Sequence, residues 1–155
     1  GGGALTPQEW RAYLADHIPL SRALEIDVVR ADRDGVLFRM PLAPNVNHQG
    51  TVFGGSLAAG AIGAAWCLTV ARLAADGARA KVVIQREEMA FLSPVDGDFE
   101  VRATPPDDDA WDLFARTLAR RGRARVAVSA EVVRAGVVRA RLTGWFVALA
   151  AGPGD

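Results

Sequence analysis

The stretch "NVNHQGTVFGGSLAAG", residues 45–60, places an Asn-His-Gln cluster, glycines and a serine directly before a long, almost uncharged segment rich in alanine. That segment predicts one helix over residues 55–75, which ends at the Asp76-Gly77 turn. Gly60 and Gly63 each cost about 1 kcal/mol relative to Ala inside a helix. We expect close approach of strand backbones to offset this cost, so the helix should lie against the concave face of a curled sheet.

The same segment is apolar enough for a membrane span to be considered. Residues 54–71 consist mostly of Gly and Ala rather than Leu, Ile and Phe, and their N-terminal side lacks interfacial anchors. A buried helix therefore explains the segment better, and no membrane partner is expected.

The elements on both sides of this helix predict an α+β fold. "TPQE", residues 6–9, forms a capping box for a short first helix, which Pro19 ends. Two strands follow and meet at the Asp34-Gly35 turn. Four further strands are expected after the long helix, in residues 80–94, 96–106, 122–136 and 137–150. "PPDDDAW", residues 105–111, is interpreted as a solvated break. The order predicts a curled antiparallel sheet of about six strands wrapped around one central helix.

Composition bounds the number of domains and the class of partner. The chain has 155 residues, half of them hydrophobic, which suffices for one sizeable core but not for two ordinary domains. A single domain over residues 1–155 is expected, with residues 1–4 as a disordered start or cloning remnant. The 18 basic and 18 acidic residues cancel, so nucleic-acid binding is not expected. One cysteine and the lack of a signal-peptide pattern predict a cytoplasmic location.

Three phrases carry a resemblance to a known family. "GTVFGGSL", "AAWCL" and "FLSPVDGD", together with Asn47 and the Gly54-Gly55 pair, resemble hotdog-fold acyl-CoA thioesterases of the phenylacetate-pathway type. The resemblance covers residues 25–149 and is greatest to the thioesterase domain that follows an acetyltransferase domain in some bacteria. It implies a hotdog fold, hydrolysis of an acyl thioester, and coenzyme A as part of the substrate without a separate cofactor.

The resemblance also implies roles for individual residues. Asn47 stands in the place of an Asn that helps to position water or the thioester, and Gly54 and Gly55 match the family's glycine pair. Two positions depart from the pattern, because Phe53 stands where well-known members carry His, and Ile62 stands where they carry a helix Asp or Glu. The missing carboxylate leaves a second hypothesis open, in which a hotdog protein binds or senses an acyl thioester without hydrolysing it. A hydratase would need a His-plus-acid arrangement that has no counterpart here.

The start of the long helix suits an acyl thioester on physical grounds as well. A helix N-terminus offers backbone N–H groups without partners and a partial positive charge, and glycine lets a carbonyl approach closely. The Gly55 or Ser56 N–H is therefore a candidate donor to the developing oxyanion, a contribution of roughly 3–4 kcal/mol where single donors have been removed. The alternative is that the glycines only permit a tight strand-to-helix turn.

Candidate bases lie on the loop before this helix and on the strand after it. His48 can act as a general base near neutral pH, or it can simply bond a neighbouring carbonyl. Glu87 and Glu88 are adjacent on a strand and point to opposite faces, so one of them at most reaches the cleft. Glu88 is our candidate, although apolar neighbours on both faces leave the choice open. Cys67 lies deep in an apolar helix and is interpreted as a packing residue.

The arginines near the last strands form the one charge cluster of the sequence: Arg116, Arg120, Arg121, Arg123 and Arg125. Such a run is commonly a solvated face. The functional alternative is that Arg121 and Arg123 hold the phosphates of coenzyme A, which suit the geometry of a guanidinium group. Two distant His and one Cys do not have the spacing of a zinc site, so no metal is expected.

The predicted sheet leaves two edges, and exposed edges favour pairing with another chain. We expect a two-fold dimer, or a tetramer made of two dimers. In the family that this chain resembles, two protomers join their sheets and the active site lies between them. Asn47 and His48 of one chain are therefore expected near residues 85–91 of the other.

Overall fold

The computed structural model describes residues 4–152. Residues 1–3 of the expected disordered start lie outside the described residues. The chain begins with a helix, α1 (Pro7–His17), and a single helical turn, α2 (Leu20–Ala23), which the sequence analysis missed. The predicted capping box is confirmed, because the Glu9 N–H donates to Thr6 Oγ1 at 3.1 Å and the Thr6 N–H donates to Glu9 Oε1 at 3.0 Å.

Six strands form one antiparallel sheet in the order β1-β2-β4-β5-β6-β3. The strands are β1 (Asp27–Asp32), β2 (Gly35–Met40), β3 (Ala80–Phe91), β4 (Phe99–Thr104), β5 (Arg123–Arg134) and β6 (Val137–Ala150). All five pairings are antiparallel, and β1 and β3 are the edge strands. The α+β hotdog fold with six strands that the sequence predicted is confirmed.

The long helix α3 (Gly54–Ala75) lies against the inner face of this sheet. It is the one helix in residues 4–152 that is long and apolar enough to cross a membrane, yet its sheet-facing side belongs to the protein core. The small residues of α3 accommodate side chains of β2 rather than strand backbones. A Cβ on Gly60 would come within 2.6 Å of Met40 Sδ, and one on Gly63 would lie 3.6 Å from Phe38 Cε2. The expectation that strand backbones approach α3 at Gly60 and Gly63 is therefore wrong, because side chains occupy that space.

A fourth helix, α4 (Asp108–Arg121), occupies the segment that was interpreted as a solvated break. Trp111, Phe114 and Leu118 form its buried stripe, and Gly122 ends it in the left-handed conformation with a φ of 73°. The break interpretation is wrong because the i, i+3, i+7 spacing of these apolar residues outweighs the acidic start, which itself favours a helix N-terminus.

The position of α4 also corrects the predicted arginine cluster. Arg116, Arg120 and Arg121 lie on α4, whereas Arg123 and Arg125 begin β5. The cluster therefore joins the end of a helix to the start of a strand, and does not follow a single hairpin.

Candidate functional site

The first turn of α3 presents two backbone N–H groups without partners. Phe53 is the N-cap residue, and no side chain caps the helix. Among residues 4–152, neither the Gly54 nor the Gly55 N–H has a hydrogen-bond acceptor. The Ser56 N–H, in contrast, donates to the Phe53 carbonyl oxygen at 2.9 Å. Ser56 therefore has no amide hydrogen left for the predicted role, and Gly54 is a further candidate donor that the sequence did not indicate.

Two exposed phenylalanine rings flank these amides. Phe53 is 58% exposed, and its ring lies where a Cβ on Gly55 would be. Phe91, at the end of β3, is 57% exposed, and its Cε1 lies 3.5 Å from the position of a Cβ on Gly54. A side chain on Gly55 would displace the Phe53 ring, whereas a Cβ on Gly54 would make only ordinary contact with Phe91. The two rings form apolar walls around the amides, and such walls strengthen any hydrogen bond made between them.

The side chain of Asn47 holds the loop that precedes α3. Its Oδ1 accepts from the Gln49 N–H at 2.8 Å and from the Thr51 N–H at 3.1 Å. Its Nδ2 donates to Thr51 Oγ1 at 2.9 Å and approaches the Val52 carbonyl oxygen at 3.5 Å. The side-chain amide of Asn47 thus makes all of these hydrogen bonds within its own loop. Asn47 acts as a positioning residue for the helix start, and contact with water or a thioester is not part of this geometry.

His48 lies at the exposed side of the same loop. No hydrogen bond of its ring to another described residue occurs, so its side chain is available to a substrate or to another chain. Its role as a base stays a prediction.

The register of β3 decides between the two glutamates. Glu87 lies opposite Gly144, and Glu88 lies opposite Thr143. The even-numbered residues of β6 from Ala140 to Ala148 are buried and face α3, so Glu87 is on the helix side and Glu88 is on the outer side. Glu88 also accepts a hydrogen bond from Arg86 at 2.8 Å. The choice of Glu88 is therefore wrong.

A β-bulge explains this error. The pairing shifts between Ile84 and Arg86, so the helix-facing residues run Val82, Ile84, Glu87, Met89 and Phe91. One extra residue reverses the side-chain parity beyond it, and no feature of the sequence located that residue. Glu87 has no ion pair or hydrogen bond with the described residues, and its carboxylate is exposed.

Three guanidinium groups line a groove on the outer side of the protein. Arg121, Arg123 and Arg125 border it together with Gln85, Thr117, Ala124 and Val147, and its volume is about 490 Å³. Arg125 donates to Gln85 Oε1 at 3.3 Å. Arg121 and Arg123 have no carboxylate partner in the described part of the chain. The structure thus brings together the two arginines that the sequence analysis assigned to phosphate binding.

Other candidate groups take no part in this arrangement. Cys67 is fully buried, and burial raises the pKa of its thiol far above the ordinary value. A thiolate nucleophile is therefore not available there. Ile62, at the position where a helix carboxylate was expected, is partly buried on α3. Within residues 4–152, no cluster of three or more His, Cys, Asp or Glu side chains has the geometry of a metal site.

Comparisons with known proteins give the family and the fold of the chain. The family model described as "Putative thioesterase (yiiD_Cterm)" matches residues 7–150. No curated protein matches the chain. A protein of unknown function from Chlorobaculum tepidum is similar in structure, with a TM-score of 0.86 at 23% identity, over 97% of this chain and 100% of that one.

Two further solved structures are similar over most of their length. A "putative thioesterase" from Shewanella oneidensis has a TM-score of 0.81 at 22% identity, over 92% of this chain and 96% of that one. A "probable thioesterase" of unknown function from Pseudomonas aeruginosa has a TM-score of 0.76 at 22% identity, over 97% and 100%. At these identities the structural similarity shows the fold.

Proposed function

This chain belongs to the YiiD_C family of "putative thioesterases", and we propose from that membership that it hydrolyses an acyl-CoA or a related acyl thioester. The observation that carries the proposal is the pair of unpartnered Gly54 and Gly55 N–H groups at the start of a 22-residue helix. Such a helix end stabilises negative charge, and amides held in advance stabilise an oxyanion without reorganisation.

The reaction follows from this placement. The thioester carbonyl oxygen accepts hydrogen bonds from the Gly54 and Gly55 amides while a water oxygen attacks the carbonyl carbon. A base removes a proton from that water. The C–S bond of the tetrahedral intermediate then breaks, the thiolate leaves and takes up a proton, and the acid is released. The rings of Phe53 and Phe91 restrict bulk water around the oxyanion.

Glu87 is the favoured base, with His48 as the alternative. Glu87 lies on the helix side of β3, four residues before Phe91, which is about 13 Å along a strand. That span is too long for direct contact with Gly54 in the same protomer. If two β3 edges pair antiparallel about an axis near Met89, Glu87 of one protomer comes beside Phe91 of its partner, and hence beside that partner's Gly54.

A dimer is therefore part of the proposed function. β3 pairs with β6 on one side only and leaves its other edge open. Apolar side chains are exposed along it, including Val83 and Phe91. An open edge with exposed apolar residues favours pairing with a second copy. Association in pairs of dimers is compatible with the same edge.

The arginine groove is proposed to hold the phosphates of coenzyme A. Gln85 lies in that groove, six residues or about 20 Å along β3 from Phe91. The pantetheine arm of coenzyme A likewise separates its phosphates from its thioester. Guanidinium groups without carboxylate partners suit phosphate recognition.

The direct test is a panel of acyl-CoAs with detection of the released thiol. Thiol release that depends on enzyme concentration is expected for at least one acyl group. A second function, binding without hydrolysis, is favoured by Ile62 in place of a helix carboxylate. Saturable binding of acyl-CoA by calorimetry without any thiol release would support that function and contradict ours.

A further inference from the structure

An apolar cavity of about 460 Å³ lies between α1–α2, α3 and β3, and we call it the helix cavity. None of the described residues that line it is ionisable. The one indole N–H in its wall, that of Trp66, donates to the Val82 carbonyl oxygen at 2.9 Å. The proposed reaction does not use this space, which is within the range of small-molecule sites in proteins.

The helix cavity continues the face of α3 that starts at the unpartnered amides. Ala59, Ile62, Gly63 and Trp66 form its wall on α3. They follow Gly55 by four, seven, eight and eleven residues, a spacing that places all five on one side of a helix. With a rise of 1.5 Å per residue, this face extends about 16 Å from Gly55, roughly the length of ten to twelve methylene groups.

We propose that the helix cavity holds the acyl chain of the thioester substrate, and that this chain is apolar, uncharged and about ten to twelve carbons long. The proposal rests on the proposed function, because it takes Gly54 and Gly55 as the place of the carbonyl. With the carbonyl at these amides, the chain runs along α3 beneath α1 and α2. A carboxylate at the far end of the chain is disfavoured, because the wall has no cationic group and a single hydroxyl, that of Ser21, does not offset the burial of a charge.

Ile62 acquires a role in this arrangement. Its partly buried side chain lines the helix cavity, where a carboxylate would be surrounded by apolar side chains. An aliphatic residue at this position favours an acyl chain that enters the helix cavity deeply. The general base of the proposed reaction must then come from an element other than α3.

Two substitutions at Gly63 give a matched pair of variants, one that leaves the helix cavity open and one that fills part of it. A Cβ at this position makes only ordinary contact with Phe38, at 3.6 Å, so Gly63→Ala leaves the wall almost unchanged. Gly63→Leu fills part of the helix cavity. Ile62→Phe reduces the same space from the neighbouring position on α3. It replaces Gly63→Leu in the experiment if that variant does not fold.

The experiment measures kcat/KM for saturated acyl-CoAs from C2 to C16, and calorimetric binding of decanoic acid. In the wild type and in Gly63→Ala, kcat/KM is expected to rise roughly fourfold per methylene, the equivalent of about 0.8 kcal/mol, up to C10 or C12. Gly63→Leu, or Ile62→Phe, is expected to lose activity on C10 at least tenfold while activity on C2 is unchanged. Both cavity variants should also lose decanoate binding.

The outcomes separate this proposal from the proposed function. If no acyl-CoA is hydrolysed but decanoate binds and Gly63→Leu abolishes that binding, the acyl site holds and hydrolysis fails. If thiol is released with equal efficiency from C2 to C16, or if Gly63→Leu leaves the preference intact, the proposal is overturned. A change of oligomeric state in Gly63→Leu without a change in chain preference would assign the helix cavity to a second copy of the chain, and would also overturn it.

Discussion

At the scale of single residues, we expect different effects on hydrolysis when the two neighbouring glutamates of β3 are substituted. Glu87 faces the α3 side of the sheet without a partner, and Glu88 faces outward and bonds Arg86 at 2.8 Å. Of these two carboxylates, only that of Glu87 lies on the side of the sheet that holds the Gly54 and Gly55 amides.

We therefore predict that Glu87→Gln lowers kcat for acyl-CoA hydrolysis by about 10²–10⁴, the usual contribution of general acid–base catalysis. Its KM should change little, because the amide keeps the shape of the side chain. Glu88→Gln is the matched control and should retain wild-type kcat. Loss of activity in Glu88→Gln with full activity in Glu87→Gln would reverse the assignment, and full activity in both would pass the role to His48.

The sequence predicted part of the site at this scale. The position of the glycine pair at the start of the helix could be predicted, because its spacing before an apolar segment is visible in the sequence itself, but the role expected for Asn47 could not. The occupied Ser56 amide and the saturated Asn47 side chain depend on the path of the loop, which the sequence does not specify. The identity of the base depended on a bulge near Ile84 that no residue type signals.

At the scale of elements, α3 carries both the packing of the core and the wall of the helix cavity. Gly60 faces Met40, which is 1% exposed, and Gly63 faces Phe38 across a wider gap. The two glycines therefore differ in how far a methyl group can be accommodated.

Gly63→Ala is expected to raise the free energy of unfolding by up to about 1 kcal/mol, because alanine is the better helix former. Gly60→Ala gains the same propensity but forces Met40 to move in a packed core, which typically costs about 1–3 kcal/mol. Chemical denaturation should thus rank Gly63→Ala above the wild type and Gly60→Ala at or below it. Equal stabilisation by both substitutions would show that Met40 moves freely.

Most elements were predictable from patterns along the chain. β6 has the predicted bounds and β5 lies within two residues of its predicted segment, since alternating apolar residues mark both strands clearly. α4 was missed because three consecutive aspartates were given more weight than the buried stripe that begins at Trp111. The short α2 and the bulge in β3 depend on tertiary packing.

At the scale of the whole molecule, the open edge of β3 predicts a dimer. Light scattering at micromolar concentration should give twice the 16.4 kDa of one chain, or four times that mass. Ala90→Glu places a charge on an exposed residue within the paired part of the β3 edge, so it should shift the mass to a single chain and reduce hydrolysis. Leu113→Glu places the same charge on an exposed residue of α4 and should leave the mass unchanged. A wild-type monomer would remove the second wall of the site.

If the arginine groove binds the phosphates of coenzyme A, its arginines should affect only substrates that carry those phosphates. The double variant Arg121→Ala/Arg123→Ala should raise KM for acyl-CoA by about tenfold or more, since hydrogen bonds to charged groups contribute roughly 1.5–3 kcal/mol each. The KM for the corresponding acyl N-acetylcysteamine thioester, which lacks phosphates, should not change. Arg116→Ala, on the same helix but outside the groove, is the control. An equal rise in KM for both substrates would exclude phosphate binding at this groove.

The central claim is that the first turn of α3 holds the thioester carbonyl. A crystal structure with an acyl-CoA analogue, in which a methylene group replaces the thioester sulfur, tests it most directly. The carbonyl oxygen is predicted to lie about 2.7–3.1 Å from the amide nitrogen of Gly54 or Gly55, between the rings of Phe53 and Phe91. A bound analogue whose carbonyl lies elsewhere, with both amides facing only water, would contradict the account.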